Sequence, residues 1–127
     1  MSSENMTTTL AGYETTIVTR TELSDQALKE LKDRISSFVS QFKGEVVLTE
    51  DWGKRKLAHP IENETRGTYT HLVYSGLPGV VSEVERNLRI HEHVLRYLTV
   101  QIEREFNIPE YLKKKTALRE AKEAAPS

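Results

Sequence analysis

The segment from Leu23 to Gly44 constrains the fold more than any other part of the chain. Its apolar residues Leu28, Leu31, Ile35, Phe38, Val39 and Phe42 recur at the three-four spacing that lines one face of an α-helix. Ser24 fits the N-cap, because its hydroxyl can accept a free N–H of the first turn, and Asp25 puts negative charge at the positive end of the helix dipole. Leu23 can staple across the cap onto Leu28. Gly44 predicts the stop, since glycine reaches the left-handed conformation that ends many helices. A helix with one apolar stripe must bury that stripe, and 127 residues suffice for a single domain-sized core.

The flanking segments are β-rich. Residues 13–20 are dominated by β-branched types and predict a strand. Residues 45–50 predict a second strand, which bends at Trp52-Gly53 and resumes over 54–59. Pro60 lacks an N–H, so this strand belongs at a sheet edge. Residues 62–67 read as a polar turn, and 68–75 as a third strand with Thr70, Leu72 and Tyr74 on one face and Tyr69, His71 and Val73 on the other. Gly76-Leu77-Pro78-Gly79 breaks it, and a second helix over about 79–89 turns Val80, Val81, Val84 and Leu88 inward. Val94 to Ile102 predicts a last strand, with Leu98, Val100 and Ile102 sharing a face with Arg96.

The order β-α-β-β-α-β predicts an α+β fold of ferredoxin-like type: a four-stranded antiparallel sheet in the order 4-1-3-2 with two helices on one face. The expected organisation is a disordered leader over 1–11, a folded domain over 12–104 and a charged C-terminal tail over 105–127. Within the tail, residues 108–112 could dock back locally, whereas 113–125 predict a solvated or frayed helix, because Leu118 is its only large apolar residue.

Little in the chain suggests catalysis. There is no cysteine, hence no disulfide, thiolate metal site or cysteine nucleophile. His91-Glu92-His93 fails the zincin spacing, because the position four after the first histidine is Leu95. Gly76-Leu77-Pro78-Gly79 has the letters of a KH-domain loop but joins a strand to a helix. Walker loops, serine elbows and EF-hands are missing, so no enzyme, cofactor, metal or small-molecule substrate is expected. Apolar runs fall far short of the ~20 residues that cross a bilayer, and the first residues lack a signal-peptide pattern, so no membrane partner is expected and a cytoplasmic location is.

Charge is unevenly spread. Residues 1–51 hold five basic and nine acidic side chains, residues 52–127 thirteen and ten, so a net charge of −1 conceals a basic second half. The third strand sits where RNA-recognition motifs carry stacking aromatics, but the aligned positions are Thr68 and Thr70. A module that binds single-stranded RNA on its own is therefore the alternative to the reading below.

The most distinctive segment is Gly53-Lys54-Arg55-Lys56-Leu57-Ala58-His59-Pro60-Ile61. Three successive cations can protect an edge strand from aggregation, and they can equally neutralise phosphate. The pattern Gly-x-Arg-x-Leu-Ala-x-Pro-Ile closely resembles the signature of the sixth protein of the bacterial 30S subunit. Tyr13-Glu14, Gly67 and Tyr69, Leu88-Arg89-Ile90 and Val94-x-Arg96-x-Leu98-x-Val100 agree with that family in order and spacing, over roughly residues 12–104. His59 stands where the family usually has tyrosine.

The resemblance implies a structural constituent of the small ribosomal subunit. It would pair with the eighteenth small-subunit protein and, with it, bind the central domain of 16S ribosomal RNA during platform assembly. Carried over by position, Arg55, Lys56, Arg89 and Arg96 are implied RNA contacts; Lys54 joins them on charge. Trp52, His59 and Tyr69 are candidates for a partner or packing surface. The cations are expected in two zones, one on the second strand and one formed by Arg89 and Arg96.

Overall fold

The computed structural model describes residues 10–124. Its elements are β1 (Ala11–Thr19), α1 (Asp25–Gln41), β2 (Val46–Ile61), β3 (Glu64–Gly76), α2 (Val80–Ile90), β4 (Val94–Glu103) and α3 (Ile108–Ala124). The sheet is antiparallel in the order β2-β3-β1-β4, which is the predicted 4-1-3-2 order read from the other edge. The leader expected over 1–11 lies mostly outside the described residues; Leu10 is described, and Ala11 already opens β1.

The apolar stripe of α1 does what its spacing demands. Leu28, Leu31, Ile35 and Val39 are buried against Ile17, Leu72 and Tyr74 of the sheet and Val80, Val84 and Leu88 of α2. Ser24 caps the helix by accepting from the Ala27 N–H at 3.1 Å. The helix end differs from expectation: Lys43, not Gly44, takes the left-handed backbone at φ 62°. Gly44 is required for another reason, since a Cβ there would run into the Ser75 carbonyl of β3.

The β2–β3 connection is also tighter than the polar stretch 62–67 suggests. Only Glu62 and Asn63 form the turn, with φ 47° and 68°, and Ile61 already pairs with Glu64. Two left-handed central residues match the right-handed twist of the flanking strands. Thr65 and Arg66 are polar because this end of the hairpin is exposed, not because it turns. Arg20 pins the tip through Glu62 at 3.3 Å and Glu64 at 3.9 Å. Pro60 lies on the edge strand, where its missing N–H can be tolerated, and the β2–β3 register shifts between Lys56 and Ile61.

Strand alternation divides the sheet into two faces. Tyr13, Thr15, Ile17 and Thr19 turn to the helices; Gly12, Glu14, Thr16 and Val18 turn away. Three linked hydroxyls support the helix side: that of Thr15 lies 2.8 Å from the Tyr74 hydroxyl and 2.7 Å from that of Thr99. Burial pushes the Tyr74 phenol above its ordinary pKa.

Candidate nucleic-acid interface

The face without α1 and α2 gathers most of the sequence-predicted site residues. Register sets its membership: Thr16 opposes His71 on β3 and Leu98 on β4, and Val18 opposes Tyr69 and Arg96. Of the predicted grouping Arg96, Leu98, Val100 and Ile102, the first three share a face by register and Ile102 falls where β4 slips against β1; that face is the open one, where Leu98 is 59% and Val100 46% exposed.

At the hairpin end a cleft of about 220 Å³ opens between β2 and β4. Val18, Leu57, Tyr69 and Leu98 line it with apolar surface, and Arg96 and His59 add polar groups. Leu57 is only 7% exposed although it stands on an edge strand, because it packs beside Gly67, where a Cβ would lie 3.4 Å from it. Such a cleft suits an apolar side chain, with a cation beside it for a phosphate or carboxylate.

Next to it on the same face, Trp52 stacks on His71 with centroids 4.8 Å apart and planes 12° apart. The Arg55 guanidinium lies 5.4 Å from the Trp52 ring centre, and its Nε donates to the Trp52 carbonyl at 3.4 Å. The bulge between Asp51 and Gly53 makes this possible by aiming Trp52 over the sheet. His71 is held from below, with Nδ1 3.1 Å from the Thr16 hydroxyl and Nε2 3.5 Å from a Glu14 oxygen. Arg55 is thus half-oriented before any ligand arrives, while its outer N–H groups remain for phosphate.

The remaining cations are dispersed. Lys54 pairs with Thr68 and lines a groove with Ser24, Asp25 and Asp51 on the helix side, where Lys32 reaches Asp51 at 3.0 Å. Lys56 opposes Arg66 and is exposed. Arg89 is exposed in the last turn of α2, in the helix layer. Arg96 accordingly sits with His59 and Tyr69 on the open face rather than forming a zone with Arg89, as the sequence reading had grouped them. The helix layer and the open side of the sheet separate these two residues although only seven positions divide them. Beside Arg89, His91 accepts from the His93 N–H at 3.1 Å, and burial, then His93 and Arg34, hold its pKa below the usual value.

Sequence reasoning passed over His71, Glu14 and Leu57. Alternation along β3 already put His71 on the face of Tyr69, but its meeting with Trp52 depends on the β2–β3 pairing and bulge, and the burial of Leu57 on its packing beside Gly67. Thr68 and Thr70, aligned with the stacking positions of RNA-recognition motifs, pair with Thr19 and Ile17 and face the helices. The aromatic and imidazole rings of the open face are instead Tyr69, His71 and Trp52.

A family model described as "Ribosomal protein S6" matches residues 12–101, which take in α1, α2 and nearly all of the four strands. The chain belongs to the ribosomal protein S6 family. It is accordingly a structural protein of the small ribosomal subunit. Small ribosomal subunit protein bS6 of Geotalea daltonii is 37% identical over 114 residues, covering 90% of this chain and 89% of that one. The bS6 protein of Geobacter metallireducens is 39% identical over 97 residues, covering 76% and 82%. The crystal structure of 30S ribosomal protein S6 from Thermotoga maritima superposes with a TM-score of 0.67 at 20% identity, over 86% of this chain and 98% of that one. That likeness shows the fold. The family match extends over the open face, including the Trp52–His71 stack and Arg96.

Proposed function

We propose that this chain pairs with the eighteenth small-subunit protein and that the pair binds the central domain of 16S ribosomal RNA as the platform assembles, in the cytoplasmic ribosome. The observation that carries the reading is the hairpin-end cleft: an apolar hollow beside Arg96, continuous with exposed Leu98 and Val100, on a family member's open face. Exposed apolar surface flanked by cations is what a protein–RNA partner pair would cover. Arg55 and Arg96 serve RNA from that face, and Lys56, exposed on the edge strand opposite Arg66, makes a phosphate contact of its own. Lys54 on the helix-side groove and Arg89 on α2 are assigned to separate phosphate contacts. Trp52 orients Arg55; His59 and Tyr69 line the partner cleft.

With a net charge of −1 and an acidic first half, phosphate attraction by the chain alone is modest. Gel-shift titrations with a central-domain 16S fragment, with and without the eighteenth protein, test the reading. Weak binding alone and tight binding by the pair are expected. Equal, tight binding by this chain alone would point instead to an independent RNA-binding module.

A further inference from the structure

Two valines flank Glu14 on the open face, one on each neighbouring strand: Val73 of β3 and Val100 of β4. Val100 is 46% exposed, whereas Val73 is completely buried. An edge position accounts for part of the exposure of Val100. It does not account for zero exposure of Val73 on a face that lacks α1 and α2, so a further group must cover that half of the sheet.

The chain after β4 returns to this half of the sheet. Phe106 seats on Gly12: a Cβ at Gly12 would collide with the Phe106 ring, and the Phe106 N–H donates to the Leu10 carbonyl at 2.8 Å. Phe106 meets Tyr111 edge-on, with centroids 5.2 Å apart and planes at 66°. Burial raises the pKa of the Tyr111 phenol, and the carboxylates of Glu14 and Glu50 add to the rise. Glu14 stands on β1 and Glu50 on β2, with Val73 of β3 between them on the open face. One helical face then continues through Lys115, which is half-buried, to Arg119, whose Nη2 lies 3.6 Å from a Glu50 oxygen.

The anchorage is slight. From Leu112 to Arg119 every residue except Lys115 is exposed, and Arg119 keeps 61% of its side chain in solvent while pairing with Glu50. Exposed ion pairs contribute little, and a helix without a buried stripe is marginal in water. We propose that α3 is a detachable strap: its first turns occupy the Gly12–Glu50 half of the open face in the free protein, and a protein partner binding that face displaces it. The displacement rests on the proposed partner reading, whereas the docking of α3 in the free protein does not.

The chain has no cysteine, so Leu118→Cys creates a single site for a nitroxide label at an exposed position of α3. In the free full-length protein the label should broaden amide signals around Glu50, and saturating eighteenth protein should abolish that broadening. The full-length double variant Phe106→Ala/Tyr111→Ala should lose the broadening without partner and bind the eighteenth protein several-fold more tightly. Absence of broadening in the free protein would overturn the strap. Broadening that persists in the complex, or equal partner affinity of the double variant, would overturn displacement. If the eighteenth protein binds neither form, displacement falls together with the functional reading. That result is recognisable because the free-protein spectrum is recorded first. Arg119→Glu, at an exposed position, provides a variant with little risk to folding and should weaken the broadening in the same direction.

Discussion

Tyr74 and Val73 are adjacent on β3 and both fully buried, yet they serve different purposes. Tyr74 belongs to the helix side, where Ile17, Leu72, Ile35, Val84 and Leu88 close a contiguous apolar core. Val73 belongs to the open side, where cover is partial: α3 over one end, the Trp52–His71 stack in the middle, an unfilled cleft at the hairpin end and exposed Leu98 and Val100 along β4. A sheet needs only one sealed face to fold. The other face can keep apolar surface, cations and a loosely held helix for contacts outside the domain. Substitutions on the helix side should therefore read out as stability, and those on the open side as binding.

The largest effect that separates the faces is expected at Ile35, which has no exposed surface in the middle of α1. Ile35→Ala should cost about 2–5 kcal/mol in urea melts, the usual range for such truncations in packed cores. A loss below about 0.5 kcal/mol, typical of surface positions, would mean that the helix side is not the core.

Tyr74 tests the same face through its proton. Tyr74→Phe removes the hydroxyl 2.8 Å from Thr15, but Thr15 keeps Thr99, so a loss of about 1 kcal/mol is expected. Burial raises the folded-state pKa of Tyr74 above the ordinary 10.0. Its contribution is therefore complete below about pH 10, where the unfolded phenol begins to ionise, and is lost as pH rises through the folded value. Denaturant midpoints recorded from pH 8 to 11 should fall more steeply for the parent than for Tyr74→Phe. Parallel curves would remove the argument for a sealed site.

Smaller and of another kind is the response of the open face. Arg55→Glu and Arg96→Glu should leave melts within about 0.5 kcal/mol of the parent, because both side chains are exposed. Each should flatten the salt dependence of partner-supported RNA binding by a slope of about one, as loss of one phosphate contact requires. Arg89→Glu should change the slope independently of Arg96→Glu, since the two residues lie in different layers. Salt titrations of the single and double variants decide this. Unchanged slopes with intact folding would leave the phosphate assignments without support.

The helix side was legible in the sequence because its determinants are periodic. The α1 stripe, the alternation of Thr70, Leu72 and Tyr74, and the edge position of Pro60 together specify strand order and core. Misreadings fell where local composition misled. The polar residues of 62–67 belong mainly to an exposed strand end, and Gly44 is needed to clear Ser75 rather than to turn the helix. On the open face the cations were found from the Lys54-Arg55-Lys56 run and the family resemblance, but their grouping was not. Arg96 meets Tyr69 across Val18 through strand register, and Arg55 meets Trp52 through a bulge; both depend on strand pairing, which no local sequence period records. The tail was legible in outline: local docking was expected over 108–112 and a solvated helix beyond it, and α3 starts at Ile108, meets Phe106 through Tyr111 and is exposed from Leu112 to Arg119 except at Lys115.

The most direct measurement compares two exposed apolar residues on opposite sides of the sheet: Leu98 on the open face, 59% exposed, and Ile90 at the end of α2, 68% exposed. Leu98→Glu and Ile90→Glu are each expected to fold with nearly unchanged stability, since neither removes a buried side chain. Titration calorimetry of each variant with the eighteenth small-subunit protein should show at least a tenfold loss of affinity for Leu98→Glu and parent-like affinity for Ile90→Glu. The reverse pattern, or parent-like affinity for both, would contradict the assignment of the open face as the partner surface.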